Sequence, residues 1–106
     1  FRKPGTIIVN EINGNALAKH ADIVFPATST LERNDLGLSR HDDRIVAMKK
    51  AIRPVGEARN DFDIFDGLAR RLGLGDAFSE GMDEQGWLRR IWDGASDAAF
   101  REGITA

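Results

Sequence analysis

Apolar positions fall in short runs separated by turn-forming residues, and the period of those runs changes along the chain. Thr6 to Asn10 is a β-branched run with Pro4-Gly5 before it and a polar Asn-Glu pair at its end. A brief continuous apolar run between breakers predicts a strand buried on both faces, as in a parallel sheet. Asn13-Gly14-Asn15 predicts a turn, and Ala16 to His20 a single helical turn. Asp22 to Phe25 predicts a second short strand closed by Pro26, which cannot donate to a sheet ladder. Two buried strands with a compact crossover between them predict α/β architecture.

Thr28 to Asp43 is polar, carries Gly37, and crowds charge into Arg40-His41-Asp42-Asp43-Arg44. It predicts a long surface loop, a kind of segment that is often functional. Arg44 to Lys50 alternates well enough for a third extended segment, and Pro54 and Gly56 then break the chain. The next helix is the clearest in the sequence. Phe62, Phe65, Leu68, Ala69 and Leu72 share one helical face. Asn60 or Asp61 can cap it, Arg70 and Arg71 suit its C-terminal dipole, and Gly73 suits the C′ position. A second helix is predicted from about Asp83 to Glu102, weakened by Gly86 and Gly94 at about 1 kcal/mol each relative to Ala. The expected fold is thus a partial α/β layer of short parallel strands, a long polar loop and two C-terminal helices. All of it lies in one domain-sized segment, residues 1–106.

Composition narrows the function classes. A formal net charge of −2 offers no electrostatic footprint for nucleic acid. The longest apolar runs are far too short to span a bilayer. With no cysteine, the segment has no disulfide, Fe–S cluster or thiolate metal site. The start at Phe1 without Met or a signal segment, and the end at Ala106 without a helix stop, both read as cuts through a longer polypeptide. Localisation is not assigned from the sequence.

Four polar clusters are candidates for chemistry. Asn10-Glu11 lies just past the first strand, where open α/β sheets bind ligands; a solvated strand end is the plainer account. In Glu32-Arg33-Asn34-Asp35, Arg33 could fork onto a phosphate, or Glu32 and Asp35 could lock it into a local ion-pair network. Glu57-Ala58-Arg59-Asn60-Asp61 opens a helix, where Asp61 could cap the first turn or accept from a guanidine-like base edge. His20 and His41 have no companion at metal-ligand spacing, so no metal ligand and no catalytic residue is assigned. Trp87 and Trp92 read as helix packing. On these grounds alone the segment is an α/β nucleotide-site candidate and no more.

Three blocks in order carry a more specific signal: His20-Ala21-Asp22-Ile23-Val24-Phe25-Pro26-Ala27-Thr28, then Leu31-Glu32-Arg33-Asn34-Asp35, then Glu57 through Phe65. With Ala47 to Lys50 and Gly81 to Leu88, they resemble the molybdopterin oxidoreductases of the dimethyl sulfoxide reductase family. The likeness is strongest to the branch containing biotin sulfoxide, trimethylamine N-oxide and dimethyl sulfoxide reductases, and it runs from about Thr6 to Trp92. Such enzymes are several-fold longer and hold molybdenum between two molybdopterin guanine dinucleotides. The resemblance implies that this segment is a Rossmann-like part of the third, dinucleotide-binding domain. It implies that Asn10, Glu11, Arg33 and Asp61 contact one dinucleotide, and that the remaining domains supply the metal ligand and most substrate contacts. The implied activity is reduction of an S-oxide or N-oxide, with the electron donor undetermined and the isolated segment inactive. A formate-dehydrogenase-like or other molybdopterin enzyme, and a non-catalytic nucleotide-binding or interaction module, remain as alternatives. The sequence departs from the family pattern in three places: Glu11 stands where Asp is common, Ile12 to Asn15 lacks an aromatic, and the loop after Asp35 is shorter. The last departure bears on the substrate more than on the cofactor.

Overall fold

A computed structural model describes residues 3–38 and 45–101. Arg40, His41 and Arg44 lie outside the described residues, so the expected charge cluster around them has no structural account.

The chain runs β1 (Ile8–Glu11), α1 (Ala16–Lys19), β2 (Ile23–Pro26), β3 (Asp35–Leu38), β4 (Ile45–Met48), α2 (Asp61–Arg71), α3 (Gly75–Ser79) and α4 (Glu84–Arg101). β1 and β2 pair in parallel, Ile8 opposite Ile23 and Glu11 opposite Pro26. The crossover between them is the single turn α1, whose N-cap Asn15 accepts from the Ala18 N–H at 2.9 Å.

Pro26 belongs to β2 rather than standing beyond it. Its carbonyl accepts from the Arg59 N–H at 3.0 Å, on the edge away from β1. A residue's N–H and C=O point to the same edge of a strand, so the donor that proline lacks is not missed by β1. Ala27 then donates to the Glu11 carbonyl at 3.1 Å, and Thr28 to the Arg59 carbonyl at 3.0 Å. An isolated parallel bridge, Ala27 to Arg59, seats the segment before α2 against the end of β2.

Two expectations need correction. The strands are not buried on both faces: Val9 is buried, but Ile8, Ile23, Val24 and Phe25 are all 42% exposed or more. Two strands and a four-residue helix have too little surface to cover both faces of the pair. The stretch after Thr28 is not all loop either. Asp35–Leu38 pairs antiparallel with Ile45–Met48. At Gly37, which stands opposite Val46, a Cβ would come within 3.2 Å of the Met48 sulfur.

The helices follow the apolar spacing, with one addition. α2 ends in a Schellman motif: Leu74 N–H reaches back to the Ala69 carbonyl at 2.8 Å and Gly73 N–H to the Arg70 carbonyl at 3.1 Å. Gly73 takes φ +74°, the left-handed value that the motif needs. The short α3 was not expected; it folds back so that Phe78 stacks on Phe62, centroids 5.8 Å apart. α4 runs through Gly86 and Gly94, tied to α3 by the Trp87 indole N–H donating to the Ser79 carbonyl at 3.1 Å. Arg90 lies over the Trp87 ring, 5.1 Å from its centroid, so this tryptophan is a packing residue. Among the described residues no helix is long and apolar enough to cross a membrane.

These glycines make opposite predictions for one substitution. Gly67→Ala, inside α2 with open space around it, should raise the unfolding free energy by about 0.5–1 kcal/mol. Gly73→Ala should lower it by about 1 kcal/mol, because alanine resists the left-handed conformation. Urea unfolding midpoints of the two variants, measured side by side, check both signs.

Candidate functional site

The C-terminal ends of β1 and β2 and the N-terminus of α2 meet at one place. Asn10, the third residue of β1, reaches across so that its Nδ2 lies 3.5 Å from Asp61 Oδ1 at the start of α2. That is a long contact, at the edge of hydrogen-bond range, and both side chains are reachable from solvent.

Arg33 joins this group indirectly. Its Nη1 donates to the Thr28 carbonyl at 2.7 Å, and its Nε pairs with Asp35 at 3.0 Å. The Thr28 hydroxyl donates to Asn60 Oδ1 at 2.7 Å, one residue before Asp61. Arg33, Thr28, Asn60, Asp61 and Asn10 therefore form one connected polar cluster. Among the described residues no acceptor engages Arg33 Nη2, so the guanidinium keeps donor capacity for a further anion or carbonyl.

Glu11 behaves differently. Successive strand side chains point to opposite faces, so Glu11 leaves the sheet away from Asn10. Its carboxylate accepts from Asn15 Nδ2 at 2.7 Å and from the Ile12 N–H at 3.0 Å. The Asn15 amide, then the Ile12 N–H, hold the Glu11 carboxyl below the usual range. The structure thus puts Asn10 beside Asp61, links Arg33 to them only through Thr28 and Asn60, and turns the Glu11 carboxylate into its own loop.

The alternatives for Glu32 and Asn60 are also decided by geometry. Asp35 pairs with Arg33, but Glu32 does not. Buried at 5% exposure, Glu32 accepts from the Ser29 N–H and the Val55 N–H, each at 2.6 Å. Those two bonds, Ser29 first, draw its carboxyl below the usual range. It staples the turn after β2 to the segment before α2. Asn60 occupies the N-cap of α2, yet its side chain makes no capping bond. Its amide is instead drawn to Thr28 and to Glu84 of α4, whose two oxygens each accept from Asn60 Nδ2 at 2.8 Å. Burial, with the Asp63 carboxylate adding to it, pushes the Glu84 carboxyl up, against the pull of the Asn60 amide and Arg33.

Thr28 and Glu84 are the residues that spacing alone did not single out. Threonine after a proline-ended strand gives no signal, and Glu84 reads as an ordinary first-turn helix residue. Next to the cluster, an open groove of about 420 Å³ runs between the β3–β4 hairpin and α4, lined by Asp35, Leu36, Met48, Leu88 and Trp92. Among the described residues no group of three or more His, Asp or Glu could hold a metal ion.

With this geometry in place, comparison with known proteins is informative. The molybdopterin oxidoreductase family model matches residues 1–71. The biotin sulfoxide reductase of Cereibacter sphaeroides is 50% identical over 101 residues, 95% of this chain and 14% of that protein. The trimethylamine-N-oxide reductase of Salmonella typhi is 47% identical over 106 residues, 98% of this chain and 12% of that protein. The dimethyl sulfoxide/trimethylamine N-oxide reductase of Rhodobacter capsulatus is 42% identical over 106 residues, 98% of this chain and 13% of that protein. The chain spans 12–14% of the length of these three relatives.

The Glu32 staple makes a pH-dependent prediction. Its carboxyl titrates lower folded than unfolded, so its stabilisation is complete above the unfolded value and is lost as pH falls through the folded one. Glu32→Gln replaces one acceptor with an NH₂ that faces a backbone N–H. Its melting temperature should fall below wild type at pH 7, and the gap should close as pH drops below the carboxylate range. Thermal melts across that range check it.

Proposed function

The chain belongs to the molybdopterin oxidoreductase family, and from that premise we propose that it helps hold one guanine dinucleotide arm of a bis-molybdopterin guanine dinucleotide molybdenum cofactor. β1, α1 and β2 are on this reading part of a Rossmann-like layer within a third, dinucleotide-binding domain. The enzyme it serves reduces an S-oxide or N-oxide, the chemistry named in its relatives. When bound, the cofactor supplies the two-electron, oxygen-atom-transfer chemistry, and the protein binds and orients it. The metal ligand, most substrate contacts and the site of electron entry come from other domains, so this chain alone turns nothing over.

The observation that carries the reading is the Asn10–Asp61 pair at the strand ends. A guanine presents one acceptor, O6, beside two donors, N1–H and the exocyclic amine. An amide donor next to a carboxylate is the complementary set: Asn10 serves O6, and Asp61 accepts from N1–H and the amine. Adenine would set its N1 lone pair against the carboxylate and its amine against the amide donor, a mismatch at both positions. Arg33 Nη2 supplies a charge-assisted donor to a phosphate or base oxygen. Glu11 contributes by shaping the turn beside the strand end, with its carboxylate held by Asn15.

The test is a calorimetric titration of the cofactor-free, full-length protein with guanosine 5′-monophosphate. Asp61→Asn should weaken binding about 10–100-fold, as expected for losing a hydrogen bond to a charged group. Unchanged affinity in that variant would overturn the assignment.

A further inference from the structure

Asn60 has the backbone of an N-cap, φ −64° and ψ 143°, and a side chain of the type that caps well, yet it caps nothing. Its amide is held from two sides. Both Glu84 oxygens accept from Nδ2 at 2.8 Å, which fixes the amide's orientation and leaves Oδ1 to receive the Thr28 hydroxyl at 2.7 Å. Thr28 is only 1% exposed, so this anchor cannot be exchanged for water.

We propose that Glu84, on α4, is a positioning residue for Asp61, acting through the Asn60 amide clamped between Glu84 and Thr28. The inference rests on the reading of Asp61 as the guanine-reading carboxylate. Asp61 is the next residue after Asn60, so whatever fixes Asn60 fixes the base of the Asp61 side chain. The direct Asn10–Asp61 contact, at 3.5 Å, is too long to do this by itself. Glu84 belongs to an element 23 residues further along the sequence than Asp61, so it links the nucleotide site to α4. Selectivity for guanine needs the carboxylate placed against two donors at once, so a small displacement of Asp61 costs guanine more than adenine.

That last point separates positioning from mere cross-linking. A variant that only loosens the fold reduces the binding-competent fraction, and so scales the affinities for all nucleotides alike. The experiment measures guanosine and adenosine 5′-monophosphate binding to the cofactor-free, full-length protein by calorimetry. Glu84→Ala should lower the guanine-to-adenine affinity ratio about tenfold, the effect of one hydrogen bond. Glu84→Gln, which keeps a carbonyl acceptor for Asn60 Nδ2, should stay within about twofold of wild type on the same scale. Thr28→Val loosens the clamp from its other side and should also lower the ratio, which keeps the test open if Glu84→Ala does not fold. A ratio unmoved in Glu84→Ala and Thr28→Val, whether the two affinities fall together or not at all, overturns the proposal. Asp61→Asn run in parallel tells the two failures apart: if it too leaves the ratio unmoved, the guanine-site reading falls as well.

Discussion

Thr28 places its hydroxyl where water scarcely reaches, and that hydroxyl must find a partner within the protein. A buried hydroxyl left unpaired costs about 1–3 kcal/mol, a large share of the stability of a chain this size. Its partner, Asn60 Oδ1, lies 32 residues away in sequence. The bond therefore fixes the start of α2 against the end of β2, and backbone bonds from Arg59 to Pro26 and Thr28 extend the same seam. With the seam closed, Asp61 stands beside Asn10, 3.5 Å from its amide nitrogen. Arg33 is drawn to the same place because the Thr28 carbonyl is its acceptor.

The carboxylates around this seam do different jobs, and their environments show which. Glu11 and Glu32 accept from donors that favour the ionised form, and both titrate below the usual range. They are fasteners: one shapes the turn after β1, the other ties two loops together. Glu84 is held above the usual range by burial, with Asp63 adding to it, and its partner is a neutral amide rather than a cation. A carboxylate in that setting makes a directional hydrogen bond more than an ion pair. Asp61, by contrast, is exposed at the start of α2, and among the described residues its side chain makes one long contact, to Asn10.

Much of this was legible in the sequence where periodicity or turn chemistry speaks locally. The apolar spacing of α2 and the glycine at 73 mark that helix and its stop, and Asn13-Gly14-Asn15 marks the turn between β1 and α1. Burial of the strands was not legible, because a continuous apolar run says that something should cover it and not that this chain supplies the cover. The β3–β4 hairpin was missed because Asp35-Leu36-Gly37-Leu38 is short and embedded in charge, so no alternating run marks it. Asn60 was one of two residues, with Asp61, expected to be able to cap α2; its side chain makes no capping bond because Thr28 and Glu84 hold its amide instead. Asn10, Arg33 and Asp61 were named by resemblance; Asn10 lies beside Asp61, Arg33 is linked to them only through Thr28 and Asn60, and Glu11 is set apart by the two-residue period of a strand. No sequence pattern joins Thr28 to Glu84, since their link passes through a third residue and exists only once the chain is folded.

The central claim is that Asp61 and Asn10 together read a guanine. The most direct measurement is an experimental structure of the full-length protein with its cofactor bound. The account predicts a guanine whose N1 and exocyclic amine lie within hydrogen-bond distance of the Asp61 carboxylate, with O6 turned toward Asn10. A cofactor whose base lies away from both side chains, or whose Watson–Crick edge faces solvent, contradicts it.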